Sequence, residues 1–499
     1  MAHPIEDPAA IRSFFSLHAA PPTDHPCRGL ACFAARACQP DRWDAACRSS
    51  PSVICLGQCF EGPALAGSES RPAIRCFGGE PVLLERILQR PVRSLKVYQQ
   101  VGGERALQRA QQLSPEALIE CIEASGLRGR GGAGFPTGRK WRAVRKSGHR
   151  PVVVVNADEG DPGAFSDRFL MEDDPHRLLD ATAIAARAIG ATESVIYVRC
   201  EYPTAFKMLE QALAESVVTG RLSSITIRLV SGEGSFVCGE ETSLLNAIEG
   251  RRPFVRSRPP YPFQKGLWGR PTLVQNVETL CAAAWIVEHG AEAYRARGTE
   301  ESAGTKLISL NSRFSRPGLV EIPFGIPLRT IVEEIGGGLA NSELLGVMVG
   351  GPLAGLLPPE VLDTPFTYAD LARVGGAVGH GGIIAFGRDI AIRELVAEVL
   401  RFGATESCGL CVPCHQGLAE LHEAIPVVIA SERDRREQRM SLDASRIKDG
   451  CSPLTHPRWL ELLDVLELTS LCGHGAGIAE FLRSIERYFG QEMAECFQP

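Results

Sequence analysis

No stretch of this 499-residue chain reaches the ~18 consecutive apolar residues that a membrane-spanning helix needs. Met1 to Thr23 lacks a basic segment followed by an apolar run, so no signal peptide is expected there. An excess of basic residues is also missing. The 53 Lys and Arg face 59 Asp and Glu, for a net charge of −6 and a pI near 6.1, which argues against a nucleic-acid partner. There is no internal repeat and no low-complexity tract. These absences lead to the expectation of a cytoplasmic protein without direct membrane insertion. The rest is ordinary for a folded chain, with 44% hydrophobic and 22% charged residues. The length calls for roughly two to four domains.

Seventeen cysteines are present. In a reducing compartment disulfides are not expected, and cysteines at short fixed spacing read as metal or cluster ligands. They gather near the two ends of the chain. Cys121, Cys200, Cys238, Cys281 and Cys496 are scattered and read as ordinary buried thiols.

Four regions separate along the chain. Residues 1–90 are cysteine-rich and irregular, and residues 91–300 alternate helix-like and strand-like segments. Residues 301–385 are rich in Gly, Pro and β-branched residues, and residues 386–499 look helical. Ser114-Pro115-Glu116 has the N-cap, the N1 proline and the first-turn acid of a helix that stops near Gly126. Val152 to Val155 and Ser194 to Val198 are continuous apolar runs, as in strands buried on both faces, and helical periodicity over 175–190 lies between them. That order predicts a βαβ unit in a parallel sheet. Short apolar segments at Lys306–Leu310 and Gly346–Val349, with a short helix at Thr330–Ile335, predict a small α+β domain. Amphipathic segments near 389–402, 415–430, 457–468 and 476–489 predict a helical bundle. Ser431 to Arg439 reads as a solvated loop or helix surface.

Gly129, Gly131 and Gly134 satisfy G-x-G-x-x-G, but a helix precedes them, so the usual dinucleotide fingerprint fails its context. The glycines still permit close backbone approach to a flat ligand or a phosphate, the alternative being a flexible turn. Asn156-Ala157-Asp158-Glu159-Gly160-Asp161 follows the first buried strand, at the strand end where ligands bind in parallel sheets. Its polar groups suit a ring edge or ribose hydroxyls, the alternative being a solvated acidic loop. Two further segments stand out: Gly232 to Thr242, containing Phe236, Glu240 and Glu241, and Arg258 to Thr279, containing Tyr261 and Val274-Gln275-Asn276. Cys408-x2-Cys411-x2-Cys414 brings three thiolates to one [4Fe-4S] cube, with a zinc site as the alternative.

These segments, in this order, resemble the 51 kDa-type flavoprotein subunit of respiratory complex I. The same family includes the diaphorase subunits of soluble NAD-dependent formate dehydrogenases and NAD-reducing hydrogenases. The resemblance spans roughly residues 95–490. It implies an α/β fold: a Rossmann-like FMN- and NADH-binding domain, a small ubiquitin-like (β-grasp) α+β domain and a C-terminal helical bundle carrying [4Fe-4S]. Gly129, Gly131, Gly132, Ala133 and Lys140 are implied to hold FMN with Asn156, Asp158 and Glu159, while Val274, Gln275, Asn276 and Thr279 bind its phosphate end. Glu240, Glu241 and Asp161 are implied to be the catalytic residues facing FMN and NADH, with Phe236 beside them. Phe135 and Tyr261 are implied to stack on adenine, with Arg258 nearby. The chain departs from the complex I pattern at Gly160-Asp161, Ala143, Phe236 and Gln275, and the first and third of these look closer to the formate dehydrogenase and hydrogenase branches. Asp161 favours NAD over NADP by repelling a 2′-phosphate.

The resemblance selects Cys472 as the fourth ligand of the [4Fe-4S] cube, with Cys451, inside an insertion around 430–455, as the rival. Cys27-x4-Cys32 and Cys55-x3-Cys59 resemble the ligand pairs of thioredoxin-like [2Fe-2S] domains. A short thioredoxin-like N-terminal region with a [2Fe-2S] cluster is therefore expected, the alternative being a docking region with free thiols. Cys38, Cys47 and Cys76 have no assignment. The implied chemistry is hydride exchange between NAD(H) and FMN, then single electrons through [4Fe-4S] to or from other iron–sulfur subunits and a large catalytic subunit. The favoured partner is a soluble formate dehydrogenase. The alternatives are an NAD-reducing hydrogenase, complex I and, from another class, a non-catalytic electron-transfer scaffold.

Overall fold

The computed structural model describes residues 24–49, 53–148, 150–425 and 455–494. Met1–Thr23, the charged stretch Ser431–Arg439, Cys451 and Cys496 lie outside the described residues. From the N-terminal side, α1 (Leu30–Ala34) and α2 (Pro40–Arg48) precede an irregular run that ends in the short strand β1 (Ile74–Cys76). This strand belongs to a sheet whose other members lie beyond residue 300, and it pairs in parallel there with Leu319–Glu321.

Helix α3 (Pro115–Ala124) begins where its capping residues place it. The Ser114 hydroxyl accepts from Ala117 N at 3.1 Å, Pro115 sits at the first helical position and Glu116 meets the positive end of the helix. Gly126, at φ 68°, takes the left-handed turn that follows. The glycine loop then leads into α4 (Thr137–Lys146). The strand β2 (Val152–Ala157) is followed by α5 (Ser166–Asp173) and α6 (Pro175–Ile189), then β3 (Glu193–Val198), α7 (Pro203–Val218) and β4 (Thr226–Ser231). Helix α8 (Glu241–Ile248), strand β5 (Thr272–Asn276) and helix α9 (Val277–His289) complete this part.

These four strands form a wholly parallel sheet in the order β4-β3-β2-β5. The apolar run at β2 is explained by burial on both faces. Val152 and Val154 pack with Val195, Tyr197 and Leu244, whereas Val153 and Val155 face the main core with Phe165, Leu178 and Ile196. Each such valine contributes about 1.5–3 kcal/mol. From β2 the chain steps one way to β3 and β4, then returns to the other side of β2 as β5. The carboxyl ends of β2 and β5 therefore border the crevice where strand order reverses.

The second sheet contains β6 (Thr305–Leu310), β7 (Gly318–Pro323), β8 (Leu344–Val349), β9 (Leu356–Leu357) and β10 (Gly382–Gly387), in the order β1-β7-β6-β10-β8-β9. The antiparallel β6–β7 pair, the helical turn Thr330–Ile335 and the final strand β10 lying parallel to β6 give a β-grasp arrangement. Last come α10 (Ile392–Thr405), α11 (Val412–Ala424), α12 (His456–Thr469) and α13 (Gly473–Ala494), which pack on one another through Leu400, Leu418, Leu466 and Leu482. The whole is a mixed α/β fold, and no helix among the described residues is long and apolar enough to cross a membrane.

Candidate functional site

A cavity of about 440 Å³ opens at the crevice between the ends of β2 and β5, a size ordinary for a cofactor site. One wall is the glycine loop. Gly129 N donates to Phe135 O at 2.9 Å, and Arg128 Nε to Gly134 O at 2.7 Å, closing the loop on itself. Arg130 is buried and anchors it: its guanidinium donates to Arg128 O, Tyr368 Oη, Tyr294 Oη and Ala303 O, and its backbone N to Thr279 Oγ1. Gly131 passes so close to β5 that an added Cβ would stand 2.9 Å from Asn276 Cβ, whereas Gly132, at φ 132°, has open space on that side. Gly131, Gly132 and Ala133 line the cavity, while Gly129 stays in the loop's hydrogen bonding.

The segment after β2 supplies the floor. Asn156 Nδ2 donates to Gly239 O at 2.8 Å, and its Oδ1 accepts from Asp158 N at 3.1 Å. Asp158 and Asp161 line the cavity. Burial raises the Asp158 pKa to about 8, and its buried Oδ2 has no protein partner. Burial raises Asp161 as well. Glu159 is placed differently: it accepts from Ser166 Oγ and from the N–H groups of Asp167 and Arg168 at 3.0–3.1 Å, capping α5, and is not among the lining residues.

Phe236 and Glu240 form the facing wall. The Phe236 ring meets Phe402 edge-on at 4.9 Å and His474 at 5.7 Å. Its backbone N donates to Glu406, whose pKa burial raises to about 7. Glu240 caps α8 through Thr242 N and Ser243 N and is paired with Arg258. Burial pushes the Glu241 carboxyl up, but Lys140, 2.9 Å away, and Arg258 together hold it below its usual range. Lys140 and Glu241 thus form a pair, and neither is among the residues that line the cavity. Phe135 and Tyr261 are among the few large exposed rings, Tyr261 lying parallel to Phe263 at 5.7 Å. Of the β5 segment, Asn276 lines the cavity and also caps α9 through Thr279 N. Val274 is in the core under the sheet, Gln275 accepts from Trp141 Nε1, and Thr279 holds the glycine loop through Arg130.

Cys472 also lines this cavity, immediately before α13. Cys408 lies behind Val237 with Cys472 packed alongside, Cys411 is the N-cap of α11 and Cys414 lies in its first turn. Burial pushes the Cys414 thiol up to about 12 and Cys472 to about 11, and in both the other thiols of the set add to the rise. Cys408 and Cys472 thus pack in one cluster, and Cys411 and Cys414 start α11 while Cys472 precedes α13. A second group gathers Cys27, Cys32, Cys55 and Cys59, all buried, with Cys55 Sγ 3.3 Å from Cys59 Sγ. The N–H groups of Gly29, Gly57 and Ala64 donate to the sulfurs of Cys27, Cys55 and Cys32. Cys38, Cys47 and Cys76 stand apart, more accessible than these four. Arg199 ties the two regions, donating to Cys55 O at 2.8 Å and to Glu159 O.

Several residues at the site escaped sequence reasoning: His380, His474, Glu480 and the buried Asp167 and Arg130. For His380 the glycine-flanked Gly379-His380-Gly381 was a usable signal, and Arg130 and His474 lie inside the glycine loop and the Cys472 segment; for Asp167 and Glu480 there was none. The arrangement suits the implied groups. A polar-edged, flat ligand would meet the cradle at Gly132 and the unpartnered Asp158 carboxyl, and a four-thiol set without nitrogen ligands suits an iron–sulfur cube.

A family model of the Nuo51 FMN-binding domain matches residues 122–285, and one of the NADH-ubiquinone oxidoreductase-F iron–sulfur binding region matches residues 394–496. The F 2 subunit of the NADH-quinone oxidoreductase of Rhizobium meliloti (strain 1021) is 39% identical over 350 residues, 68% of this chain and 83% of that protein. The HndC subunit of the NADP-reducing hydrogenase of Solidesulfovibrio fructosivorans is 36% identical over 409 residues, 80% of each chain. A solved NAD⁺-reducing [NiFe]-hydrogenase in the H2-reduced state superposes with a TM-score of 0.80 at 29% identity, covering 99% of this chain and 88% of that one. With the cavity and the thiol group in place, these likenesses show that the chain belongs to the 51 kDa-type NADH dehydrogenase flavoprotein family, as an NAD(H)-dependent oxidoreductase subunit with FMN and a [4Fe-4S] cluster.

Proposed function

We propose that FMN lies in the crevice between β2 and β5, with NAD(H) entering over it, and that Cys408, Cys411, Cys414 and Cys472 hold the [4Fe-4S] cube. The observation that carries this reading is a single cavity lined by the glycine loop, by Asp158 and by Cys472, so that flavin and cube share one wall. When bound, FMN supplies hydride exchange with NAD(H), and the cube supplies single-electron relay.

The chain's own residues bind, orient and exclude water. Gly131 and Gly132 let the backbone approach the ligand. Asp158, with its pKa at about 8, is neutral at pH 7 and can donate a hydrogen bond to the flavin edge. Phe236, packed against Phe402 and His474, keeps water from the side nearest the cube. Glu240, fixed on the α8 N-terminus, and Asp161 sit where nicotinamide and ribose would lie. Phe135 and Tyr261 offer exposed rings for adenine, with Arg258 beside Glu240.

The proposed setting is a multi-subunit complex in the cytoplasm, where electrons pass to iron–sulfur subunits and a large catalytic subunit. Within this class a soluble formate dehydrogenase is the preferred partner on the Gly160-Asp161 and Phe236 pattern. A hydrogenase is the second reading, favoured by a structural match that takes in the N-terminal region. Co-purification with a molybdenum- or tungsten-bearing subunit supports the first, and with a nickel–iron subunit the second. For the N-terminal group the proposal is a [2Fe-2S] cluster on Cys27, Cys32, Cys55 and Cys59. Iron analysis then gives about six atoms per chain, against about four if those thiols are free.

A further inference from the structure

The cavity assigned to FMN is short of positive charge. Three lining acids, Asp161, Glu240 and Glu480, stand beside the neutral Asp158, and its basic side chains are two histidines, His380 and His474. A phosphate monoester carries about −1.5 to −2 charges at pH 7, and acids at short range repel it unless a cation intervenes. The nearby cations have partners already: Lys140 with Glu241, Arg199 with Glu201, Arg258 with Glu240 and Lys306 with Glu278. His474 does not fill the gap. Its Nε2 donates to Gly403 O at 2.8 Å and its ring lies against Phe236 and Phe402.

His380 is held differently. Its Nε2 lies 2.8 Å from Asp167 Oδ2 and 3.7 Å from Glu159 Oε1. Asp167 is itself fixed by Glu278 N at 3.1 Å and by Asn276 Nδ2. These three side chains do not read as a metal site. A nitrogen and an oxygen 2.8 Å apart are already hydrogen-bonded, whereas two ligands at ~2.0–2.2 Å from one tetrahedral ion stand roughly 3.3 Å or more apart. With Nε2 committed to Asp167, Nδ1 is the free position, and no group among the described residues hydrogen-bonds to it. The imidazole also stands in the right place: Gly379 pairs with Gly132 of the glycine loop, and Nε2 is 3.3 Å from Asn276 Nδ2.

We infer that His380 neutralises the phosphate of FMN, Nδ1–H donating to a phosphate oxygen while Asp167 holds Nε2. The inference rests on the FMN reading of the cavity and deepens it. Burial alone would discharge the ring, but Asp167, Glu159 and Asp161 raise its pKa to about 9. The groups facing it are Asp158, Glu159 and Asp161 from the loop after β2, Asp167 from α5, and the Glu278–Lys306 pair from α9 and β6. The cationic form thus persists below pH ~9 and is lost above it.

The test compares FMN with riboflavin, which lacks the phosphate, binding to the flavin-free full chain by fluorescence quenching. His380→Gln keeps a polar side chain without the charge. It should weaken FMN about ten- to a hundredfold and riboflavin less than about threefold. As pH rises through about 8 to 9 the preference for FMN should fall in both chains as Asp158 ionises, and the fall should be markedly steeper in the unaltered chain, which also loses the His380 charge. Equal losses for both flavins, or a fall no steeper in the unaltered chain than in the variant, would overturn the inference. Should the variant fail to fold, a pH-independent preference in the unaltered chain would still overturn it. If the unaltered chain bound neither flavin, the FMN reading itself would fail.

Discussion

Removing Lys306 should destabilise this protein far more than a surface change, because its partner Glu278 is left buried and unpaired. Both side chains are fully buried, one on β6 and the other in the first turn of α9, so the pair ties the second sheet to α9 beside His380. Lys306 Nζ also donates to Leu307 O at 3.0 Å and His380 O at 3.2 Å, and Glu278 Oε1 accepts from Leu307 N at 3.1 Å. Breaking such a pair by removing one partner costs about 3–5 kcal/mol, whereas replacing both by apolar residues is close to neutral. With a urea slope of about 3 kcal/mol/M, Lys306→Met lowers the midpoint of the transition that includes both sheets by about 1–1.7 M. The double variant Lys306→Met with Glu278→Leu recovers most of that loss. The pH dependence follows from the lone acid. Burial raises Glu278 above its ordinary pKa even with Lys306 in place, and further without it, so the single variant's deficit should grow from pH 5 to pH 8. A midpoint for Lys306→Met within about 0.3 M of the unaltered chain, or a double variant as weak as the single one, would refute the reasoning.

Gly131→Ala places a Cβ 2.9 Å from Asn276 Cβ, on the residue that caps α9, and the glycine loop has to move. FMN affinity by fluorescence titration should drop about ten- to a hundredfold with little change in overall fold. Asp158→Asn should stabilise the flavin-free chain. A buried acid with its pKa at about 8 penalises the folded state increasingly from its unfolded pKa near ~3.9 up to 8, so the gain grows with pH over that window in urea melts. Cys472→Ser should remove the cube's iron and its electron paramagnetic resonance signal, while Cys451→Ser leaves both intact.

Much of the fold was legible because local signals agreed with the tertiary outcome. The apolar run at β2 marks a strand covered on both faces, and the Ser114-Pro115-Glu116 start is satisfied by its own cap. The site was legible only in part. Its residues are brought together from β2, β5, the glycine loop, the turn before β10 and the start of α13, and nothing local tells which acid faces the ligand. Glu159 and Asp158 are adjacent, yet Glu159 caps α5 while Asp158 lines the cavity. Lys140 is drawn to Glu241 by a pairing across 101 positions. Strand β1, three residues long, is too short to show a period, and the role of Arg130 depends on Tyr294, Tyr368 and Ala303, all distant in sequence.

The most direct test is anaerobic addition of NADH to the purified full chain while the visible spectrum is followed. The flavin absorption should bleach and reduced iron–sulfur signals should appear with it, and Cys408→Ser should keep the bleaching but lose the cube's signal. A chain that binds no flavin, or whose flavin stays oxidised with NADH in excess, would contradict the assignment of this cavity to hydride exchange.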